Sequence, residues 1–435
     1  MKNKFWRTKK LNIIDAWVGF LLFSSIYAID LPLIGNSSYW SWLLIFPSLL
    51  IINGSYSNLR LLASQRVFYY PIISLGCIIL LSFLIPIFYL TFDISMLKTW
   101  INNLVAYLAM SVLACIFCCS TTLYKNVFLL VLKVFILQAV ITWLMLVSPD
   151  LSDSIQSISK TAGSIEKMEQ YGGVRGLGFS GLAAFALAVI MGLMALLLHY
   201  YFAVYMKDSS LILKILILFV TLIASISAGR TAIAGFLLGF SFYYVELGPT
   251  KFLLGIFKVS AYCLVIITPI IFYILATPEL TEIVVKYYTY AFKIVYLYFS
   301  EGQVSVSSLS SLEQMYFPLT EEQILIGDGR YTGGDGAYYM HTDPGFMRFT
   351  LFFGILPSLF IYSSFLYIMF SYYLINRGYV KQVGMLILSI VAIAFIYHYK
   401  GEIIMFNVSY MKIIYFVFIS LSLITIKTKY KITDY

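Results

Sequence analysis

The sequence predicts an all-α polytopic membrane protein with about twelve transmembrane helices, and three observations carry that expectation. The chain has 435 residues, of which 61% are hydrophobic and 11% charged. Its mean hydropathy is +0.90, too apolar a surface for a water-soluble chain of this size. The apolar residues also fall into long uniform runs broken by short hinges, too long for the alternating strands of a membrane barrel.

A span needs roughly twenty mostly apolar residues. Runs of that kind lie near 11–29, 38–54, 67–91, 100–120, 127–147, 179–205, 210–228, 231–247, 252–276, 346–374, 383–399 and 403–425. The first follows a basic stretch, Met1 to Lys10. It is longer than the core of a signal peptide and lacks a small-x-small cleavage site, so it reads as a retained helix. Lys and Arg gather in alternate short loops: Lys2, Lys4, Arg7, Lys9 and Lys10, then Arg60 and Arg66, Lys125, Lys207, Lys251, Arg377 and Lys381, and Lys427, Lys429 and Lys431. The opposite loops carry almost none. The positive-inside rule then puts both termini in the cytoplasm and two longer loops, about 148–178 and 277–345, on the outer side. The whole chain, 1–435, reads as a single integral membrane domain. Within the second loop, Glu279 to Phe299 is a candidate amphipathic or packed helix.

The net charge of +9 fits cytoplasmic loops against anionic lipid rather than a nucleic-acid partner. Cys115, Cys118 and Cys119 share one apolar run without His or acidic neighbours, so neither a disulfide nor a metal site is expected. Asp93, Asp328 and Asp335 are too scattered for a metal-binding acid motif, and no phosphate-cradling glycine motif is present.

Ionisable residues near the bilayer cost about 2.5–3.5 kcal/mol each on insertion scales, which makes those on the outer side informative. Arg230 lies in Ser227-Ala-Gly-Arg-Thr231, where two apolar runs meet without a loop. A guanidinium held there suits a phosphate ligand, or else is a snorkelling helix stop. Arg175 sits in Gly172-Gly-Val-Arg-Gly-Leu-Gly178, whose glycines let backbone approach a ligand. Arg348 falls about one turn past Asp343-Pro344, a cap followed by a first-turn proline. It either faces the site or pairs with Asp343 or Asp335. His341 is one of 3 histidines, with an acid two residues on. An imidazole there can take a proton from a sugar hydroxyl, and Asp343 is the competing base. In His398-Tyr-Lys400-Gly-Glu402, at an outer helix end, Lys400 and Glu402 either join the site or pair with each other.

The stretch Arg175-Gly-Leu-Gly-Phe-Ser-Gly-Leu-Ala-Ala184, the Ser-Ala-Gly-Arg230-Thr hairpin, and Gly327-Asp-Gly329 leading to His341-Thr-Asp343-Pro-Gly-Phe and Phe353-Gly354-Ile resemble the O-antigen polymerase and ligase superfamily. The resemblance covers about 175–357 by motif and the whole chain by topology. It implies a metal-independent, inverting glycosyltransferase of the membrane-embedded (GT-C-like) type, without a cofactor, in the bacterial inner membrane. Its site would face the periplasm. Its substrates would be undecaprenyl-pyrophosphate-linked oligosaccharides as donor and acceptor, joined into a surface polysaccharide such as O-antigen. It further implies that Arg175 and Arg230, with Arg348 by position, bind the donor pyrophosphate, that His341 or Asp343 deprotonates the acceptor, and that a chain-length regulator works beside it. Thr342-Asp343-Pro344 departs from the ligase pattern and favours polymerase. A ligase, a lipid-linked oligosaccharide flippase and an ion-coupled permease are the competing readings. The long outer segment and the arginines gathered on one side argue against transport.

Overall fold

The computed structural model describes residues 13–161 (except 33), 176–251 (except 183) and 307–430, with isolated positions between these stretches. The described chain is mostly helical, and its one sheet is a two-stranded antiparallel hairpin, β1 (Asp30–Leu31) with β2 (Gly35–Asn36). Among the described residues, seven helices are long and apolar enough to cross a membrane, or up to eight if a bent pair counts as one span. The chain is therefore a multi-pass membrane protein. It divides into two compact units, residues 1–41 with 125–304, and residues 42–124 with 305–435.

The first unit holds α1 (Ile13–Tyr27), the β-hairpin and, further along the chain, most of α6 (Tyr124–Val147). It continues with α7 (Pro149–Ser159), α8 (Ala184–Tyr205), α9 (Leu211–Ala228) and α10 (Ile233–Leu247). Helix α8 is the buried centre. Gly235 of α10 lies directly on the Gly192 carbonyl of α8, so these two backbones touch as small residues allow in membrane bundles. Helix α7 starts in the expected outer loop: Ser148 caps it by accepting the Leu151 amide, and Pro149 occupies the first turn.

The second unit begins with the distal part of α2 (Ser37–Ile51), which bends by 102° into α3 (Ser55–Ala63). Then come α4 (Arg66–Phe88), α5 (Ser95–Ser120), the short α11 (Ser307–Gln314) and α12 (Glu321–Leu325), and α13 (Gly345–Phe353). The last three are α14 (Ile355–Asn376), α15 (Val383–His398) and α16 (Val408–Tyr430). Helix α16 is buried along its apolar length and packs on α5 through Tyr107–Tyr415 and Phe117–Phe416, with ring centroids 5.0 and 5.7 Å apart. Asn376 ties α14 to α16 by donating to Ser422 Oγ (3.0 Å) and accepting from Thr425 Oγ1 (2.9 Å).

Two expected spans differ in ways that matter for the site. The run 346–374 is two helices, broken at Gly354 with φ 76°. A Cβ there would stand 2.5 Å from the Leu325 carbonyl oxygen, so the break makes room for the end of α12. The run expected over 403–425 becomes helical only at Val408. His398 accounts for the delay: its Nδ1 accepts the amides of Ile403 (3.1 Å) and Ile404 (3.3 Å) and holds 399–407 as an irregular segment. The expected span 252–276 and the candidate helix Glu279–Phe299 lie largely outside the described residues.

Candidate functional site

The polar segment 327–342 is folded against the ends of α4 and α5. Asp93, between those helices, accepts the amides of Tyr331 (2.8 Å) and Thr332 (2.6 Å) through one carboxylate oxygen. Burial alone would raise this carboxyl. Hydrogen bonds from Ser95, Thr332 and Tyr331 outweigh that effect and hold it below the ordinary value. Thr91 donates to the Gly329 carbonyl (2.7 Å) and Asp328 N–H to the Leu351 carbonyl (2.6 Å). Gly327, at φ 72°, passes so close to Gly354 that a Cβ would sit 2.6 Å from its nitrogen. Beyond Thr332 the chain makes a hairpin, with Gly333 N–H donating to the Ala337 carbonyl at 2.8 Å and a bridge between Thr332 and Tyr338.

This anchoring places Tyr331 and Tyr338 on Arg348. The guanidinium carbon lies 3.8 Å from the Tyr331 ring centre and 3.5 Å from that of Tyr338. Arg348 Nη1 pairs with Glu402 Oε2 at 2.7 Å, and the two side chains are 4% and 8% exposed. Tyr331 hydroxyl donates to the same Oε2 at 2.8 Å. Burial pushes the Glu402 carboxyl up to about 7, against the pull of Arg348 and the Tyr331 hydrogen bond; the nearby Asp343 also raises it. The Tyr331 phenol is raised as well, by burial and then by Glu402. Trp100, Phe349 and Phe406 form the apolar floor, with Trp100–Phe406 and Phe349–Phe406 centroids 5.3 and 5.8 Å apart.

His398 supports the same corner. With Nδ1 accepting two amides, its proton sits on Nε2, which faces the Tyr362 hydroxyl at 3.2 Å. The rings of Phe346 and Phe349 pack on it at 4.8 and 4.9 Å. Gly345 rests on this imidazole with no room for a Cβ, which seats the start of α13.

The sequence-predicted residues divide as follows. Arg348 is inside the buried cluster, and its ionic partner is Glu402 rather than Asp343 or Asp335. Asp343 is exposed within electrostatic reach of Arg348 and Glu402, and desolvation by its surroundings raises its carboxyl against the pull of Arg348. His341 lies on the hairpin, 76% exposed, with Nε2 3.6 Å from Asp335 Oδ2. Its φ of 52° and that of Met340, 54°, are both left-handed. Sequence reasoning left Glu402 undecided, weighed Asp93 only as a metal ligand and set it aside, and passed over Tyr331 and Tyr338; the acid at an outer helix end was the one signal that pointed to the cluster.

Arg230 belongs to the first unit. It opens the 3-10 turn Arg230–Ala232 that joins α9 to α10. Gly229 is extended there, and a Cβ would stand 2.9 Å from that of Ala188, so this glycine serves close approach to α8. Arg175 lies outside the described residues. The next residue, Gly176, donates its amide to Ser227 at 2.7 Å, three positions before Arg230. The segment that follows is pinned by Ser180, whose hydroxyl donates to the Tyr27 carbonyl at 3.0 Å, and by Lys160, which donates to the Ser180 carbonyl at 2.6 Å. Burial draws the Lys160 ammonium down to about 8, against the pull of Asp30.

The second unit thus offers a buried cation–carboxylate pair between aromatic rings, and the first a cation on a tight interhelical turn. Comparison with family models, with curated proteins and with solved structures finds no match for the chain.

Proposed function

We propose that this protein is a membrane-embedded glycosyltransferase that polymerises lipid-diphosphate-linked oligosaccharide repeat units at the outer face of the bacterial inner membrane, with inversion at the anomeric carbon. The observation that carries the reading is the folded polar segment 327–342, fastened by Asp93 over the Arg348–Glu402–Tyr331 cluster in an otherwise apolar chain. Buried ionisable residues of that kind mark functional sites in membrane proteins. A twelve-span topology with both termini in the cytoplasm belongs to the same proposal.

In this reaction the bond between the anomeric carbon and the diphosphate oxygen breaks as an acceptor hydroxyl oxygen attacks. Negative charge accumulates on the departing diphosphate, and the acceptor loses a proton. Arg230 and Arg175 are assigned to the diphosphate, because preorganised cations aimed at developing charge lower the barrier. Glu402 already neutralises Arg348, so Arg348 is assigned to positioning beneath the loop rather than to the diphosphate. The base is His341 or Asp343. Both are exposed, and Asp343 has the electrostatic link to the cluster.

The test is the lipopolysaccharide ladder of a host deleted for this gene and complemented with wild type or Arg230→Ala. The proposal expects core plus a single repeat in the deletion, and no restored ladder with Arg230→Ala. Loss of the single-repeat band as well moves the block to ligation or flipping, and an unchanged ladder removes the protein from O-antigen assembly.

A further inference from the structure

The Arg348–Glu402 pair is made through one atom of each group. Nη1 meets Oε2, and Oε2 also takes the Tyr331 hydroxyl. Glu402 Oε1 and Arg348 Nη2 are both buried without a hydrogen-bond partner. They belong to the same carboxylate and the same guanidinium that meet at the contact, one an acceptor and the other a donor. Buried polar atoms in native proteins are satisfied, and charged ones most of all. The partner that fits must donate to one atom and accept from the other.

Charge narrows the choice. With Glu402 ionised the pair is neutral as a unit, and Asp343 adds negative potential beside it. A phosphate would meet Glu402 and Asp343, and a cation would meet Arg348. A neutral molecule with adjacent hydroxyls meets neither penalty, and the Tyr331 ring, 3.8 Å from the guanidinium carbon, gives apolar surface for its C–H face.

Access depends on Tyr338. Tyr331 is fastened by its hydroxyl to Glu402 and by its amide to Asp93. The Tyr338 ring is 46% exposed and lies over the guanidinium from the solvent side of the hairpin. Met340 and His341 follow it in consecutive left-handed conformations, each unfavourable for a residue with a Cβ. Displacing this end of the hairpin uncovers the pair and relaxes that backbone.

We infer that the Arg348–Glu402 pair is a saccharide subsite: it takes vicinal hydroxyls of a neutral sugar between Glu402 Oε1 and Arg348 Nη2, once Tyr338 swings aside. Within the proposed reaction that sugar belongs to the acceptor, and this assignment alone rests on the glycosyltransferase reading.

The test is equilibrium binding to the purified full-length protein in detergent. The probe is the repeat-unit oligosaccharide released from its lipid by mild acid, with inorganic pyrophosphate as a competitor. Glu402→Gln preserves shape and should weaken oligosaccharide binding at least tenfold. Tyr338→Ala should strengthen it several-fold, because a closed cover reduces apparent affinity by the fraction of molecules that are open. Unchanged affinity in Glu402→Gln, or displacement of the oligosaccharide by pyrophosphate, overturns the inference. If Glu402→Gln does not fold, Tyr338→Ala decides: unchanged or weaker binding overturns it. Absence of binding by both wild type and Tyr338→Ala also overturns it. Glu402-dependent binding without any polymer in the ladder assay leaves the subsite standing and removes the polymerase reading.

Discussion

Removing Glu402 should destabilise the protein more than removing Arg348, although both substitutions break the same contact. The pair is buried, 2.7 Å long and reinforced by Tyr331. Glu402→Leu leaves a guanidinium that cannot lose its proton between two rings, and stranding a buried charge in this way costs about 3–5 kcal/mol. Arg348→Met leaves a carboxyl that is already raised to about 7 and can take a proton while keeping the Tyr331 hydroxyl. Methionine also refills the space between Tyr331 and Tyr338. That loss is about 1–3 kcal/mol, the cost of one buried hydrogen bond left incomplete. The double variant Arg348→Met/Glu402→Leu should recover part of the single Glu402→Leu loss. The assay is reversible unfolding in mixed detergent micelles at pH 7.5, read by tryptophan fluorescence. Equal costs for the two single variants, or a Glu402→Leu loss below about 1 kcal/mol, would refute the argument from a buried, fully coupled pair.

Three further outcomes follow from the same geometry. Asp93→Ala removes the acceptor for two amides of the polar segment, so limited trypsin cleavage after the exposed Arg330 should become at least tenfold faster with the rest of the digest unchanged. Gly354→Ala forces a Cβ against the Leu325 carbonyl at φ 76°, and should lower the unfolding midpoint; Gly76→Ala, in open space on α4, should leave it equal or higher. The fold raises the Glu402 pKa to about 7, above the ordinary 4.5. Between those values this carboxyl binds its proton more tightly in the folded chain than in the unfolded one, so the Glu402 contribution to stability falls as pH rises through that window. Arg348, Tyr331 and Asp343 are the charged and titratable groups acting on Glu402. Glu402→Gln should therefore remove this falling contribution, so that the midpoint-versus-pH curve falls less steeply, or rises more, than that of wild type between those values.

The membrane class and most span centres were legible because hydropathy is a local property of the sequence. Helices α4, α5, α6, α8, α9 and α10 fall on the expected runs. Gly354 was not legible as a break, since one glycine in an apolar run reads as continuous helix until a second segment must pass beside it. The late start of α16 was hidden for a related reason: Ile403 and Ile404 are apolar, and the hydrogen bonds that hold them off the helix come from His398 of the preceding helix. Arg348 was singled out by its place after Asp343-Pro344. Its partner was not, because no periodicity links positions 348 and 402. The rings over it were invisible in the same way, since Tyr331 and Tyr338 acquire their role only when Asp93 fixes the hairpin.

The most direct measurement is chain growth by the purified protein reconstituted in liposomes with lipid-diphosphate-linked repeat units and no other enzyme. The account predicts a ladder of lipid-linked chains lengthening by whole repeats, released carrier diphosphate equal to the bonds formed, and loss of both with Arg230→Ala. Repeat units that cross the bilayer without lengthening would contradict it and identify a transporter.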